Sequence, residues 1–264
     1  MTAGVPDYGA YVFDCDGTVY LGDTPLPGAV EAIADVRDRG ARTLFLTNNP
    51  TKLQAEYAER LTTMGIPTSA ADVVSSIDAL VAYLDREQPR PRLLVSSEPL
   101  LEDVLREAGF DVSGTEPEVV VVSFDRTFDY AKLKRAFDAV NGGARIVATN
   151  PDRYCPSPDG GLPDCAAMLA AIEACTGSRA EAIVGKPSAH MAAVVRERLG
   201  APPGEALLVG DRLETDMLMA RELGMDFALV LTGATAASDV PDGAGAPDHV
   251  LTSLLDLLPA AAPR

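Results

Sequence analysis

The stretch YVFDCDGTVY, residues 11–20, drives an apolar run into two aspartates two residues apart, followed at once by Gly17 and Thr18. Like charges repel, so such a pair is stable only where a cation, a proton or a hydrogen-bond network takes up the charge. A strand that merely ends in a polar turn would look the same. The stretch alone leaves both readings open, and the rest of the chain has to decide between them.

Working outward, AYVFD (10–14) reads as a buried strand, and GAVEAIADVRDR (28–39) sets Ala29, Val30, Ile33 and Val36 on one helical face before Gly40. ARTLFLT (41–47) is the next strand, and a helix over 51–64 follows, with Asn49 and Pro50 placed as N-cap and first-turn proline. From about residue 78 a second series begins, with strands PRLLVSS, EVVVVSFD and ARIVATN between helices, and a helix near 164–176 that ends at Gly177. After EAIVGKPS (181–188) the first style resumes: helix 188–199, strand EALLVGD (205–211), helix 214–223, strand DFALVL (226–231) and a short helix near 252–258. Alternation of this kind predicts an α/β protein with a doubly wound, Rossmann-like parallel sheet core. Residues 1–77 and 183–264 are expected to form that core, interrupted by an inserted α/β domain at 78–182.

The bulk numbers narrow the function. A length of 264 residues with 47% hydrophobic content suffices for a substantial core. With 22 basic against 39 acidic residues, the net charge of −17 argues against nucleic acid or an anionic membrane as partner. A small anionic substrate stays open, because a bound metal or a few basic groups can invert the field locally. MTAGVPDYGA lacks the basic and apolar regions of a signal peptide, and no apolar run approaches a membrane span. Cys15, Cys155, Cys165 and Cys175 form no CxxC pair, which fits a reducing cytoplasm and small buried apolar roles.

In open parallel sheets the ligand sits outside the carboxyl ends of the strands. Three apolar runs here close in polar groups: YVF in Asp14-Cys15-Asp16-Gly17-Thr18, TLFL in Thr47-Asn48-Asn49, and ALLVG in Asp211, with Asp216 five residues on. Lys186 follows AIVG, which reads as a further strand. If all four strands are neighbours, one rim collects carboxylates, an ammonium and several hydroxyl and amide donors. Asp14 and Asp211 then make a hard-oxygen site suited to magnesium, and Lys186 can neutralise an anionic oxygen.

In these residues the chain resembles the haloacid dehalogenase-like (HAD) hydrolase superfamily, class IIA, the NagD-like phosphatases. Its four motifs stand in order as DCDGTVY (14–20), TNN (47–49), GKPS (185–188) and GDRLETDM (210–217), and LPGAVEAI (26–33) and ATNPDRYCP (148–156) also match. The resemblance implies an Mg²⁺-dependent phosphatase acting on small phosphorylated metabolites, with Asp14 as nucleophile and Asp16 as general acid and base. It implies phosphoryl binding by Thr47, Asn48 and Lys186. It implies a metal held by Asp14, the backbone carbonyl of Asp16 and Asp211, with Asp216 either binding it or orienting the site from just outside the shell. The segment 78–182 corresponds to the branch's cap, through which relatives often dimerise, so a homodimer is a further expectation.

Cap contacts are expected from PSPDGGLPDC (156–165), with Asp164 facing substrate or capping the next helix, and from Arg126 or Arg153 as anion contacts. Many members of the family carry small or amide residues near the position of Asp164, so this aspartate is a departure. Cys15, His190 and His249 are expected to be structural, and Asn49 a helix cap. Among rival activities, a phosphonate hydrolase or dehalogenase has no use for the acid at Asp16, and a phosphomutase usually carries a different cap. A phosphoacceptor signalling module would be about half this length, and a non-catalytic metabolite sensor would be expected to have lost one of the aspartates.

Overall fold

The computed structural model describes residues 5–86, 89–157, 159–200 and 202–259. The chain opens with β1 (Ala10–Asp14), a small hairpin of β2 (Tyr20–Leu21) and β3 (Thr24–Pro25), and α1 (Ala29–Asp38). Next come β4 (Arg42–Thr47), α2 (Gln54–Thr63), β5 (Val73–Ser75) and α3 (Ser76–Leu84). A second run holds β6 (Leu93–Ser96), α4 (Pro99–Glu107), β7 (Val119–Val122), α5 (Tyr130–Asn141) and β8 (Arg145–Ala148). It continues through the hairpin β9 (Tyr154–Ser157) and β10 (Gly160–Pro163) to α6 (Cys165–Thr176) and β11 (Ala180–Ile183). The chain then forms α7 (Ala189–Leu199), β12 (Ala206–Gly210), a π-helical turn (Leu213–Met217), α8 (Leu218–Leu223), β13 (Asp226–Val230) and β14 (His249–Leu251).

Six strands form one parallel sheet in the order β14-β13-β12-β1-β4-β5. Successive side chains of a strand face opposite sides, and the core follows that parity. Val12, Leu44, Leu46 and Leu208 pack on the side of α3, α7 and α8 with Leu80, Met191 and Met219. Tyr11, Phe13, Phe45 and Val209 pack on the other side with Ile33, Val36, Tyr57 and Leu61 of α1 and α2. Cys15 is buried among the second group, and the aspartates beside it are left to face the rim. Helices therefore cover both faces, as the βα alternation predicts.

A second, four-stranded parallel sheet has the order β11-β8-β7-β6. Its Leu93, Val119, Val121 and Val147 join the same apolar cluster as Ile77, Leu80 and Met191, whereas Val120, Val122 and Ile146 pack under α5 and α6. The strand before Lys186 differs from expectation: β11 pairs with β8 and belongs to this sheet, so Lys186 reaches the rim from a connecting loop. Both expected boundaries fall inside elements, the first within α3 and the second within β11. Helix α3 starts early because Ser75 and Asp78 form a capping box, the Ser75 amide and hydroxyl both donating to Asp78 Oδ2 at 2.8 and 3.0 Å.

Asn49 does not cap α2, whose N-cap is Leu53. Its Oδ1 instead accepts from the Thr51 amide and hydroxyl, a side-chain turn that carries the chain over the rim before the helix begins. The short helix expected near 252–258 is a 3₁₀ turn over Leu254–Leu257. His190 stacks edge-on against Tyr83, and His249 contacts the Tyr8 hydroxyl; both lie away from the rim residues. Among the described residues no helix is long and apolar enough to cross a membrane.

Candidate active site

Strand β1 lies between β12 and β4, with Phe13 level with Val209 and Asp14 level with Leu46. The carboxyl ends of three adjacent parallel strands thus deliver Asp14, Asp211 and Thr47 to one rim, and all three are buried. After Asp14 the chain turns back sharply: the amides of Val19 and Tyr20 donate to the Cys15 carbonyl, and Gly17 N–H donates to the Tyr20 carbonyl at 2.8 Å. Gly17 has φ of 92°, and a Cβ there would lie 2.6 Å from Asp211 Oδ2, so only glycine lets the turn close over that carboxylate. Gly210 has a matching role. A Cβ on it would stand 2.5 Å from Asp216 Cβ, and its absence lets Asp216 tuck beneath the end of β12.

Lys186 is seated by Asn48 across 138 residues of sequence: its backbone N–H donates to Asn48 Oδ1 at 2.7 Å and its carbonyl accepts from Asn48 Nδ2 at 3.2 Å. From that seat its ammonium donates to Asp14 Oδ1 at 2.6 Å and to Asp216 Oδ1 at 2.7 Å. Burial opposes the charge on Lys186, but the two carboxylates outweigh it and hold the ammonium above its ordinary pKa. Burial pushes the Asp14 carboxyl up and Lys186 pulls it back, with Asp216 and Asp211 adding like charge. Burial and the neighbouring Asp216 carry Asp211 up to about 7, although the Ala234 amide donates to its Oδ2. Asp16, raised by burial and opposed by Arg60 and Lys186, reaches about 6.

Carboxylate oxygens of Asp14, Asp211 and Asp216 all lie within 4.8 Å of one another. Asp211 Oδ1 is buried with no hydrogen-bond partner, although Oδ2 is satisfied. A buried, unpaired carboxylate oxygen is costly unless something positive meets it. Three hard oxygen donors with one of them orphaned fit a small divalent cation.

These groups line a cavity whose floor is the strand rim, including Asp14, Asp16, Thr47, Asn48, Lys186 and Asp211. Its roof is the segment carrying Asp152, Tyr154, Cys155, Pro156 and Asp164. Asp164 is buried there and also caps α6, its Oδ1 accepting from the Cys165 amide. It therefore caps α6 and lines the cavity wall at once. Pro158 of the expected specificity stretch lies outside the described residues.

The two cap arginines are placed elsewhere. Arg126 pairs with Glu98 and Arg153 with Glu214, and neither lines the cavity. Each found a carboxylate at the surface, where a long side chain stays hydrated.

The arginine on the cavity is Arg212, which sequence reasoning missed. Its guanidinium donates to the Tyr154 carbonyl at 3.0 Å, lies 4.8 Å from the Tyr154 ring centroid and stands 3.8 Å from Asp152. Its backbone amide donates to Asp216 Oδ2 at 3.1 Å. Adjacency to Asp211 was the signal that could have found it. Asp152 and Cys155 were also overlooked, although they stand in the ATNPDRYCP stretch. Asn49 Nδ2 meets Cys155 Sγ at 3.5 Å, joining floor to roof.

Comparison with known proteins agrees with this geometry. Residues 11–111 match the family described as haloacid dehalogenase-like hydrolase, and residues 183–257 match the HAD-hydrolase-like family. The chain is 37% identical over 248 residues to the sugar-phosphatase AraL of Bacillus subtilis, covering 93% of this chain and 90% of that protein. It is 32% identical to human glycerol-3-phosphate phosphatase, covering 96% and 91%. The crystal structure of a 4-nitrophenylphosphatase from Thermotoga maritima superposes with a TM-score of 0.88 at 34% identity, covering 95% and 96%. NagD from Escherichia coli superposes with a TM-score of 0.84 at 29% identity, covering 94% and 98%. Shared over nearly its whole length, these relationships show that the chain belongs to the haloacid dehalogenase-like hydrolases, in their NagD-like phosphatase branch.

Proposed function

We propose that the protein is a magnesium-dependent phosphatase that hydrolyses phosphate monoesters of small metabolites through a phosphoaspartate on Asp14. Its relatives are named as sugar, glycerol-3-phosphate and 4-nitrophenyl phosphatases and a 5'-nucleotidase. The observation that carries the reading is the joint one: Asp14, Asp211 and Asp216 converge within 4.8 Å, and Lys186 bonds Asp14 on the same rim.

Mg²⁺ would be held by Asp14, the Asp16 carbonyl and Asp211, with Asp216 supporting it through Lys186 and the Arg212 amide; bound there it offsets buried negative charge and polarises phosphoryl oxygens. The chain's own groups do the rest. Asp14 attacks phosphorus and the bond from phosphorus to the ester oxygen breaks, while Asp16 gives its proton to the departing alkoxide, which leaves as an alcohol. The ionised Asp16 then takes a proton from water, whose oxygen attacks phosphorus, freeing inorganic phosphate and the Asp14 carboxylate. Thr47, the Asn48 amide and Lys186 hold the phosphoryl oxygens as charge shifts across them. Burial pushes the Asp16 carboxyl up, which favours the protonated form it needs as the acid.

Residues between the two halves of the six-stranded sheet act in this reading as a cap over the site. The family resemblance supports a homodimer formed through it, which sedimentation would read. All four cysteines are free, in keeping with a cytoplasmic enzyme. The test is hydrolysis of 4-nitrophenyl phosphate with and without Mg²⁺. Turnover should require the metal, and Asp14→Asn should lose about a thousandfold or more in kcat. Undiminished turnover in that variant would refute the assignment of the nucleophile.

A further inference from the structure

The cavity's two sides differ in chemistry. The phosphoryl group belongs at the floor, beside Asp14 and Lys186, so the leaving alcohol points at the roof. The charged members of that roof are Asp152 and Asp164, both carboxylates. Asp164 is only 2% exposed. The arginines nearby give the roof no positive charge: Arg153 is 73% exposed and paired with Glu214, and Arg126 is 57% exposed and paired with Glu98. The guanidinium of Arg212 reaches across from the floor loop, but the Tyr154 carbonyl and Asp152 already engage it.

We propose that Asp164 is a specificity-determining residue that selects phosphate esters of uncharged, hydroxyl-rich alcohols, such as sugar or glycerol phosphates, over esters whose alcohol carries a second anion. The inference rests on the phosphatase reading above. A carboxylate or second phosphate entering the roof would be desolvated beside buried Asp164 and half-buried Asp152, where the cation on that side among the described residues, Arg212, already bonds the Tyr154 carbonyl and faces Asp152. Hydroxyl groups meet acceptors there. Specificity then comes as much from repulsion of the wrong ester as from attraction of the right one. Helix capping does not explain the aspartate, because Ser or Asn would cap α6 as well without placing a charge on the cavity wall.

The test compares glycerol 3-phosphate with 2-phosphoglycolate, each referred to 4-nitrophenyl phosphate, at pH 8 with Mg²⁺. Wild type should favour glycerol 3-phosphate in kcat/KM by about tenfold or more, and Asp164→Asn should narrow that ratio by about tenfold. Asp164→Ser provides a second capping replacement should the first fold poorly. A purely structural role would lower both substrates alike and leave the ratio unchanged, which would overturn the proposal. So would a wild-type preference for 2-phosphoglycolate. Failure to hydrolyse all three esters, 4-nitrophenyl phosphate included, is a separate result that removes the phosphatase reading and this inference with it.

Discussion

Lys186 holds two carboxylates together where water barely reaches, and the consequence of removing it can be stated with a sign. Lys186→Met would leave Asp14 and Asp216 buried without their shared cation. Breaking a buried pair from one side costs about 3–5 kcal/mol, so the urea midpoint should fall sharply, and saturating Mg²⁺ should restore part of it. Asp164 acts on stability in the opposite sense. Burial, opposed by the Cys165 amide, raises its carboxyl to about 7, against about 3.9 in an unfolded chain. Between those values the folded protein binds more protons than the unfolded one, so this group makes stability fall as pH rises from about 4 to about 7. Asp164→Asn, which keeps a competent helix cap, should therefore gain in melting temperature over wild type as pH rises through that window and hold the gain above it. A gap between the two melting curves that stayed constant with pH would contradict the sign. At this scale the aspartates, Thr47 and Lys186 were legible because each closes an apolar run or follows one. Arg212 offered only its place next to Asp211, because a sequence does not say whether an arginine side chain turns into a cavity or into solvent.

Between elements, the loop after β12 and the segment leading into β9 clasp each other. Arg212 bonds the Tyr154 carbonyl and faces Asp152, and Arg153 meets Glu214 at 3.2 Å. The exposed Arg153 pair contributes little, so the half-buried Arg212 side chain should carry the clasp. Arg212→Ala is expected to lower amide-exchange protection over residues 150–157 while β1 and β4 keep theirs, as read by hydrogen-exchange mass spectrometry. Equal loss in both regions would mean general destabilisation instead. The strands of both sheets that are continuous apolar runs, β1, β4, β7 and β12 among them, were readable from composition. The edge strands β5 and β14, three residues each, were too short to show a period, and the hairpin β9–β10, YCPS and GGLP, carries Pro and Gly in place of an apolar run. Strand β11 was recognisable as a strand, but its choice of sheet was not, because pairing with β8 is decided by where α6 returns the chain.

For the whole molecule, the cavity between rim and roof is small, about 30 Å³. A phosphate ester is larger, so the roof is expected to lift from the rim when substrate enters and product leaves. Kcat for a good substrate should then fall as sucrose raises solvent viscosity, with a slow ester as the insensitive control. Mg²⁺ should raise the melting temperature by binding the folded rim, and Asp211→Asn should abolish that rise. Sequence by itself determined the α/β class, the strand ends that carry Asp14, Thr47 and Asp211, and the family, because periodicity and motif spacing are properties of short stretches of chain. Only the tertiary structure decided that Asn48 seats Lys186 from 138 residues away, that Arg212 and Asp152 enter the cavity, and that Arg126 and Arg153 do not. Those outcomes depend on how two sheets pack through a shared core, and a side chain's direction there is set by partners far along the chain.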